Sequence, residues 1–116
     1  MANVLLDREL IAEIRRIEQS IGRHDVLAGF VRTLETKLAE FRAAFSEHIA
    51  HGDMTAAARA AHTLKGACHQ LGAQALGELF DAIERSTKGG DYVEAQRKFD
   101  GGANLIAQSL EALKRA

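Results

Sequence analysis

Proline and tryptophan are missing from this 116-residue chain, which also has only one cysteine. Without proline the strongest breaker of helices is absent, so uninterrupted helices are favoured. The single cysteine, Cys68, excludes an intrachain disulfide and a cysteine-based metal cluster. No apolar run approaches the roughly 20 residues that a membrane span needs, and the N-terminal segment lacks the apolar core of a signal peptide.

The chain also lacks an excess of either charge. Fifteen Lys and Arg residues face sixteen Asp and Glu residues, for a formal net charge of −1. The two signs are mixed along the chain, which is typical of a solvated exterior. We therefore expect no nucleic-acid partner and no membrane partner. Because the sequence shows no signal-peptide core and no membrane span, we expect a cytoplasmic location. The length predicts one domain, residues 1–116.

The apolar residues that are present recur at steps of three and four, which is the spacing of one face of an α-helix. Aspartates stand before four of these stripes as candidate N-caps, and glycines lie between several of them. The caps are Asp7, Asp25, Asp53 and Asp91, and the second helix is predicted over Val26 to Ala50. The stripes are Leu10, Ile14, Ile17 and Ile21; Leu27, Val31, Leu34, Leu38, Phe41 and Phe45; Met54, Ala57, Ala61, Leu64, Cys68 and Leu71; Leu76, Phe80 and Ile83; and Val93, Phe99, Ile106, Leu110 and Leu113.

These patterns predict an all-α fold, an antiparallel up-down four-helix bundle with an additional short N-terminal helix, because short loops make neighbouring helices antiparallel. The glycine pair Gly101-Gly102 falls inside the predicted fifth helix. Three interpretations stay open there: a kink, a close helix–helix approach, or a break that divides the helix in two.

A second stripe follows the other side of the third helix. Thr55, Arg59, His62, Gly66 and His69 lie on one face, away from the apolar residues. His62 is therefore expected to be accessible to solvent. A glycine on an exposed helical position is unfavourable and clears space one turn after the histidine.

Charged residues surround this histidine in the predicted helix. Lys65 and Arg59 lie one turn after and one turn before His62, where they would neutralise a bound dianion. If the third and fourth helices are antiparallel about a turn near residue 73, position 62 lies opposite Glu84. A carboxylate that accepts a hydrogen bond from Nδ1–H would leave Nε2 as an exposed nucleophile.

The segment Ala61-His62-Thr63-Leu64-Lys65-Gly66, followed by Leu71-Gly72-Ala73, resembles the motif of histidine-containing phosphotransfer (HPt) domains. The resemblance covers about Leu5 to Ala112. It implies that His62 is the phosphorylated residue, that Lys65 offsets phosphate charge, and that Gly66 lets a partner approach. It also implies that Glu84 hydrogen-bonds the imidazole and that Gly72 closes the turn.

The function implied by this resemblance is phosphoryl relay by a carrier that is not itself an enzyme. His62 would accept the group from a receiver-domain aspartate of a hybrid histidine kinase and pass it to the receiver aspartate of a response regulator. The chain would need no cofactor, with Mg²⁺ on the partner receiver domain, and would be a monomer. A docking surface is expected at Ala58, Thr63, Ala67 and His69, although His69 is not part of the family motif.

The sequence also allows three other interpretations. A metal-binding bundle is disfavoured because His62 and His69 lie two turns, about 10 Å, apart. A chemotaxis-kinase-type phosphorylatable domain fits the architecture, but in that family the domain belongs to a much longer kinase. The third interpretation is an interaction module whose histidine is never phosphorylated, and it leaves the presence of Lys65 and Gly66 unexplained. Cys68 is expected to be a packing residue.

Overall fold

The computed structural model describes residues 4–116, and helices are the only regular secondary structure within that range. This confirms the all-α fold. The predicted single domain, residues 1–116, includes three residues that lie outside the described range. The helices are α1 (Arg8–Ile21), α2 (Val26–Ala50), α3 (Met54–Leu71), α4 (Gln74–Lys88), α5 (Tyr92–Gly101) and α6 (Ala103–Arg115).

Helices α2, α3 and α4, together with the α5–α6 pair, form the four-helix bundle, and α1 packs beside it. The apolar stripes of α2 and α4 are buried as predicted, and in α3 every predicted position except the half-buried Met54 is buried. Aromatic rings from three helices meet in the centre, with the Phe41 ring in edge contact with Phe80 and Phe99. No helix within residues 4–116 is long and apolar enough to cross a membrane.

Side-chain caps begin three of the helices. Asp7, Asp53 and Asp91 each accept a hydrogen bond from a backbone N–H in the first turn, as predicted. Gly52, with φ of +70°, ends α2 in the left-handed conformation that glycine adopts without strain.

The start of α2 differs from the prediction. Asp25 makes no side-chain cap and instead pairs with Arg23. The carboxylate of Glu18, on α1, accepts the N–H of Leu27 at 2.9 Å. A carboxylate from the neighbouring helix thus replaces the local cap, because the α1–α2 turn brings Glu18 against the exposed N–H groups.

The buried face of α1 also differs from the prediction. Ile17 and Ile21 are 50% and 56% exposed, whereas Ile11, Ile14 and Glu18 are buried. The two candidate stripes are neighbours on the helix surface, so the angle at which α1 meets the bundle decides between them. Glu18 belongs to the buried one, where the N–H of Leu27 and the guanidinium of Arg15 satisfy it.

The predicted fifth helix is two helices that meet at Gly101-Gly102. A Cβ atom on Gly102 would lie 2.6 Å from Cδ2 of Leu79, so the break coincides with a close approach to α4. The prediction that Val93 belongs to the core stripe is wrong, because its side chain is 82% exposed. It lies about 200° around the helix from Ala95, which is buried with Phe99.

The segment before α1 holds the turn between α3 and α4. Asp7 N–H donates to the carbonyl of Gly72 at 2.8 Å, and Ala75 N–H donates to the carbonyl of Leu5 at 3.3 Å. Leu6 between them is 2% exposed. The N-terminal segment therefore stabilises the turn that sets the register of the two helices carrying the histidine face.

Candidate functional site

The site lies along the seam between α3 and α4, which are antiparallel. Gly72, with φ of +83°, makes the tight turn, and its N–H and the N–H of Ala73 bond back to the end of α3. This register places residue 62 opposite residue 84, residue 65 opposite residue 81 and residue 69 opposite residue 77. Polar side chains from both helices therefore meet along one line on the surface.

The imidazole of His62 stands at the middle of this seam. Its side chain is 65% exposed, and Nδ1 lies 3.1 Å from Oε2 and 3.3 Å from Oε1 of Glu84. An ionised carboxylate only accepts hydrogen bonds, so Nδ1 carries the hydrogen and donates it. In the neutral imidazole, Nε2 then keeps its lone pair.

Glu84 itself is buried, with a side chain that is 4% exposed. Burial alone would raise its pKa, but hydrogen bonds from Lys88, Lys65 and His62 outweigh burial and lower the pKa from 4.5 to about 2. The Lys88 ammonium lies 2.7 Å from Oε2, and the Lys65 ammonium lies 2.9 Å from Oε1. The carboxylate is thus ionised at neutral pH and held on both oxygens.

Lys65 is engaged by carboxylates rather than open to solvent. Its ammonium lies between Glu84 and Asp81, 3.3 Å from the latter, and its side chain is 25% exposed. These hydrogen bonds to Glu84 and Asp81 raise its pKa. In this structure Lys65 supports the imidazole through Glu84.

Gly66 and Arg59 occupy the exposed surface on either side of the imidazole. A Cβ atom on Gly66 would meet no atom within 4 Å, so packing inside the chain does not require glycine there. The space it leaves faces outward. Arg59 is exposed and lies on the ridge between two shallow hollows.

The first hollow lies beside His62, between α3 and the junction of α4 with α5, and has a volume of about 540 Å³. Lys88 and Tyr92 line it, and both were missed by the reasoning from sequence. Position 88 follows position 84 by four residues, a spacing that would have suggested an ion pair with Glu84. The lining residues are Met54, Thr55, Ala58, Arg59, His62, Glu84, Thr87, Lys88 and Tyr92.

The four residues predicted to form a docking surface lie on two sides of the helix. Ala58 is 8% exposed and forms the wall of the first hollow. The His69 ring covers Gly77, where an added Cβ would lie 2.6 Å from Cε1 of the ring. Thr63 and Ala67 face α2 instead, each in one of two further hollows along the α2–α3 groove.

Among residues 4–116, no three His, Cys, Asp or Glu side chains come together as a metal site. Cys68 is fully buried in the core, as predicted, and burial raises the pKa of its thiol to about 12. A neutral, enclosed thiol is a packing group and not a nucleophile.

The fold and site define a class: a helical bundle that presents an exposed imidazole whose Nδ1 is held by a buried carboxylate. A family model described as the Hpt domain matches residues 25–116. The chain belongs to the Hpt domain family, which confirms the resemblance drawn from its motif. Hpt domains are the histidine phosphotransfer modules of two-component systems, and they interact with receiver domains.

The chain is also similar to part of a much longer protein. The chain is 34% identical over 111 residues to the sensor histidine kinase AruS of Pseudomonas aeruginosa. The alignment covers 96% of this chain but only 11% of that kinase. The chain thus spans about a ninth of the length of this curated relative. No solved structure matches the chain significantly.

Proposed function

We propose that the chain is a phosphocarrier that receives a phosphoryl group on Nε2 of His62 from the aspartyl phosphate of a hybrid kinase's receiver domain. It passes the group to the receiver aspartate of a response regulator. The observation that carries this proposal is the exposed imidazole whose Nδ1 is bound by the buried, ionised Glu84. That arrangement leaves Nε2 as the nucleophile.

Each of the two transfers, to His62 and from it, forms one bond to phosphorus and breaks another. The lone pair of Nε2 forms an N–P bond while the acyl phosphate O–P bond breaks and the aspartate leaves as a carboxylate. The imidazole ring gains positive charge, and the carboxylate of Glu84 at 3.1 Å from Nδ1 balances it. The reverse step, with a second receiver aspartate as nucleophile, regenerates the neutral ring.

The surroundings of His62 suit a partner that approaches closely. The open space above Gly66 admits the receiver's active-site loops, and Arg59 on the neighbouring ridge adds a cation to the rim. Thr63 and Ala67 offer a surface of small side chains along the α2–α3 groove. Ala58 lines the hollow beside the imidazole, and His69 lies farther along the α3–α4 seam, against Gly77. Mg²⁺ belongs to the partner receiver domain in this proposal.

The proposed carrier takes no part in ATP chemistry and works as a monomer in the cytoplasm. The similarity to a sensor histidine kinase favours a kinase-linked phosphoryl donor.

The decisive experiment is phosphorylation by phosphoramidate, read by intact mass at neutral pH. The wild-type chain should gain one acid-labile phosphoryl group, and the matched variant His62→Gln should gain none. His69→Gln, on the same helix face, should behave as wild type. Phosphate that persists in His62→Gln but is lost in His69→Gln would move the site to His69. A folded wild-type chain that takes no phosphate would favour an interaction module.

A further inference from the structure

Two lysines hold the same buried carboxylate, but their surroundings differ. Lys65 is 25% exposed and contacts both Glu84 and Asp81. Lys88 is 64% exposed, and Glu84, one helical turn before it, is its carboxylate partner among the described residues. The first lysine is enclosed between the helices, while the second reaches the carboxylate from the open hollow beside the histidine.

The exposed lysine is close to the imidazole. The Lys88 ammonium and Nδ1 of His62 bind the same oxygen of Glu84, at 2.7 and 3.1 Å. These two nitrogens are therefore no more than about 6 Å apart, within the reach of a flexible four-carbon side chain. Both residues line the 540 Å³ hollow, so no helix stands between them.

If Lys88 leaves Glu84, the carboxylate still has two hydrogen-bond donors. Lys65 stays on Oε1 at 2.9 Å, and Nδ1 of His62 stays on Oε2. Release of Lys65, in contrast, would take a cation from two carboxylates at once, Glu84 and Asp81, and would leave Asp81 paired with the exposed Arg85. The carboxylate therefore tolerates the departure of Lys88, and the ring keeps its orientation when that lysine moves.

We infer that Lys88 is the phosphate-binding cation of the site: it exchanges from Glu84 to the phosphoryl group on Nε2 of His62, while Lys65 remains a positioning residue bound to Glu84 and Asp81. This deepens the proposed function and rests on it. The exchange occurs because a phosphoryl dianion next to the ring attracts an ammonium more strongly than a carboxylate that already has two other partners. It assigns to Lys88 the charge neutralisation that the motif alone assigns to Lys65.

The test compares Lys88→Gln, Lys88→Arg and Lys65→Gln with wild type in phosphoramidate phosphorylation. The N–P bond of phosphoramidate breaks, ammonia leaves, and the new N–P bond forms on Nε2. Lys88→Gln should slow this step roughly tenfold, and Lys88→Arg should restore most of the rate. The matched control is Lys114→Gln, an exposed lysine paired with Glu35 at 2.9 Å far from the site, which should leave the rate unchanged.

Nuclear magnetic resonance separates binding from positioning. On phosphorylation of the wild-type chain, the Nζ resonance of Lys88 should shift while that of Lys65 stays in place. In the unphosphorylated chain, Lys88→Gln should leave the His62 ring in its Nδ1–H tautomer, and Lys65→Gln should alter it. A shift of Lys65 alone, or a wild-type rate in Lys88→Gln, would overturn the inference. A wild-type chain without phosphate on His62 would instead refute the proposed function itself.

Discussion

At the scale of single residues, the carboxylate of Glu84 is surrounded by three hydrogen-bond donors. It is almost fully buried, yet its pKa is lowered to about 2 because Lys88, Lys65 and His62 compensate for the loss of water. A buried charge of this kind is stable only while its partners remain. The orientation of the imidazole thus depends on a group whose ionisation the surrounding cations maintain.

This pKa leads to a prediction about stability at low pH. The folded-state pKa of Glu84 lies below its ordinary value of 4.5, so its contribution is fully present above about pH 4.5 and is lost as the pH falls toward 2. The shift corresponds to on the order of 3 kcal/mol of unfolding free energy. Urea unfolding between pH 2 and 7 measures it.

The variant Glu84→Gln should lose this part of the pH dependence. The control is Glu111→Gln on α6, which removes an exposed glutamate paired with Arg115 and should keep the wild-type pH profile. Equal pH profiles for wild type and Glu84→Gln would contradict the prediction.

At the scale of helices, the junction of α1 and α2 depends on a contact between neighbours rather than on a local cap. Glu18 accepts the N–H of Leu27, and its pKa is lowered by that hydrogen bond first and by Arg15 second. The same guanidinium donates to the carbonyl of Ala116 at 2.6 Å. One buried carboxylate thereby connects α1, the start of α2 and the C-terminal end of α6.

We therefore expect Glu18→Ala to destabilise the chain more than Asp25→Ala. Loss of Glu18 leaves the buried N–H of Leu27 without its acceptor, and Tm should fall by roughly 5 °C or more. Loss of Asp25 removes only an exposed ion pair with Arg23, so Tm should change little. Thermal unfolding followed by circular dichroism at 222 nm compares the two. A larger effect of Asp25→Ala would contradict the prediction and would show that Asp25 caps α2.

At the scale of the whole molecule, the family match and the folded structure do not cover the same residues. The match begins at residue 25, whereas the buried core also includes Leu6, Ile11 and Ile14, which precede it. Leu6 inserts into the core, and backbone hydrogen bonds on both sides of it reach the α3–α4 turn. The N-terminal segment is therefore a stabilising part of the fold in this chain.

Leu6→Ala should lower the unfolding free energy by about 2–3 kcal/mol, because it leaves a cavity in a packed core. Val4→Ala, two residues earlier at a side chain that is 63% exposed, should change it by less than about 0.5 kcal/mol. Urea unfolding by circular dichroism gives both values. Equal effects of the two substitutions would show that the segment does not pack on the bundle in solution.

Much of the fold could be predicted because its signals are local. A stripe with steps of three and four, such as Leu27 to Phe45, buries one face whatever the partner helix. Asp53 and Asp91 cap helices through residues three positions later. Even the contact between His62 and Glu84 followed from the antiparallel register about one short turn. The stripes and caps need only the neighbouring residues along the chain, and the contact between His62 and Glu84 needs only the one short turn between two successive helices.

The sequence by itself thus determined the helices, most of their buried faces and the position of the exposed imidazole. Only the tertiary structure decided that Glu18 replaces Asp25 as a cap, that α1 buries Ile11 rather than Ile17, and that the predicted fifth helix is interrupted at Gly102. It also decided which ammonium faces the hollow, Lys88, and which is enclosed, Lys65. The physical reason is that these features depend on helix crossing angles and on distances across the bundle, which no periodic pattern along a single helix contains.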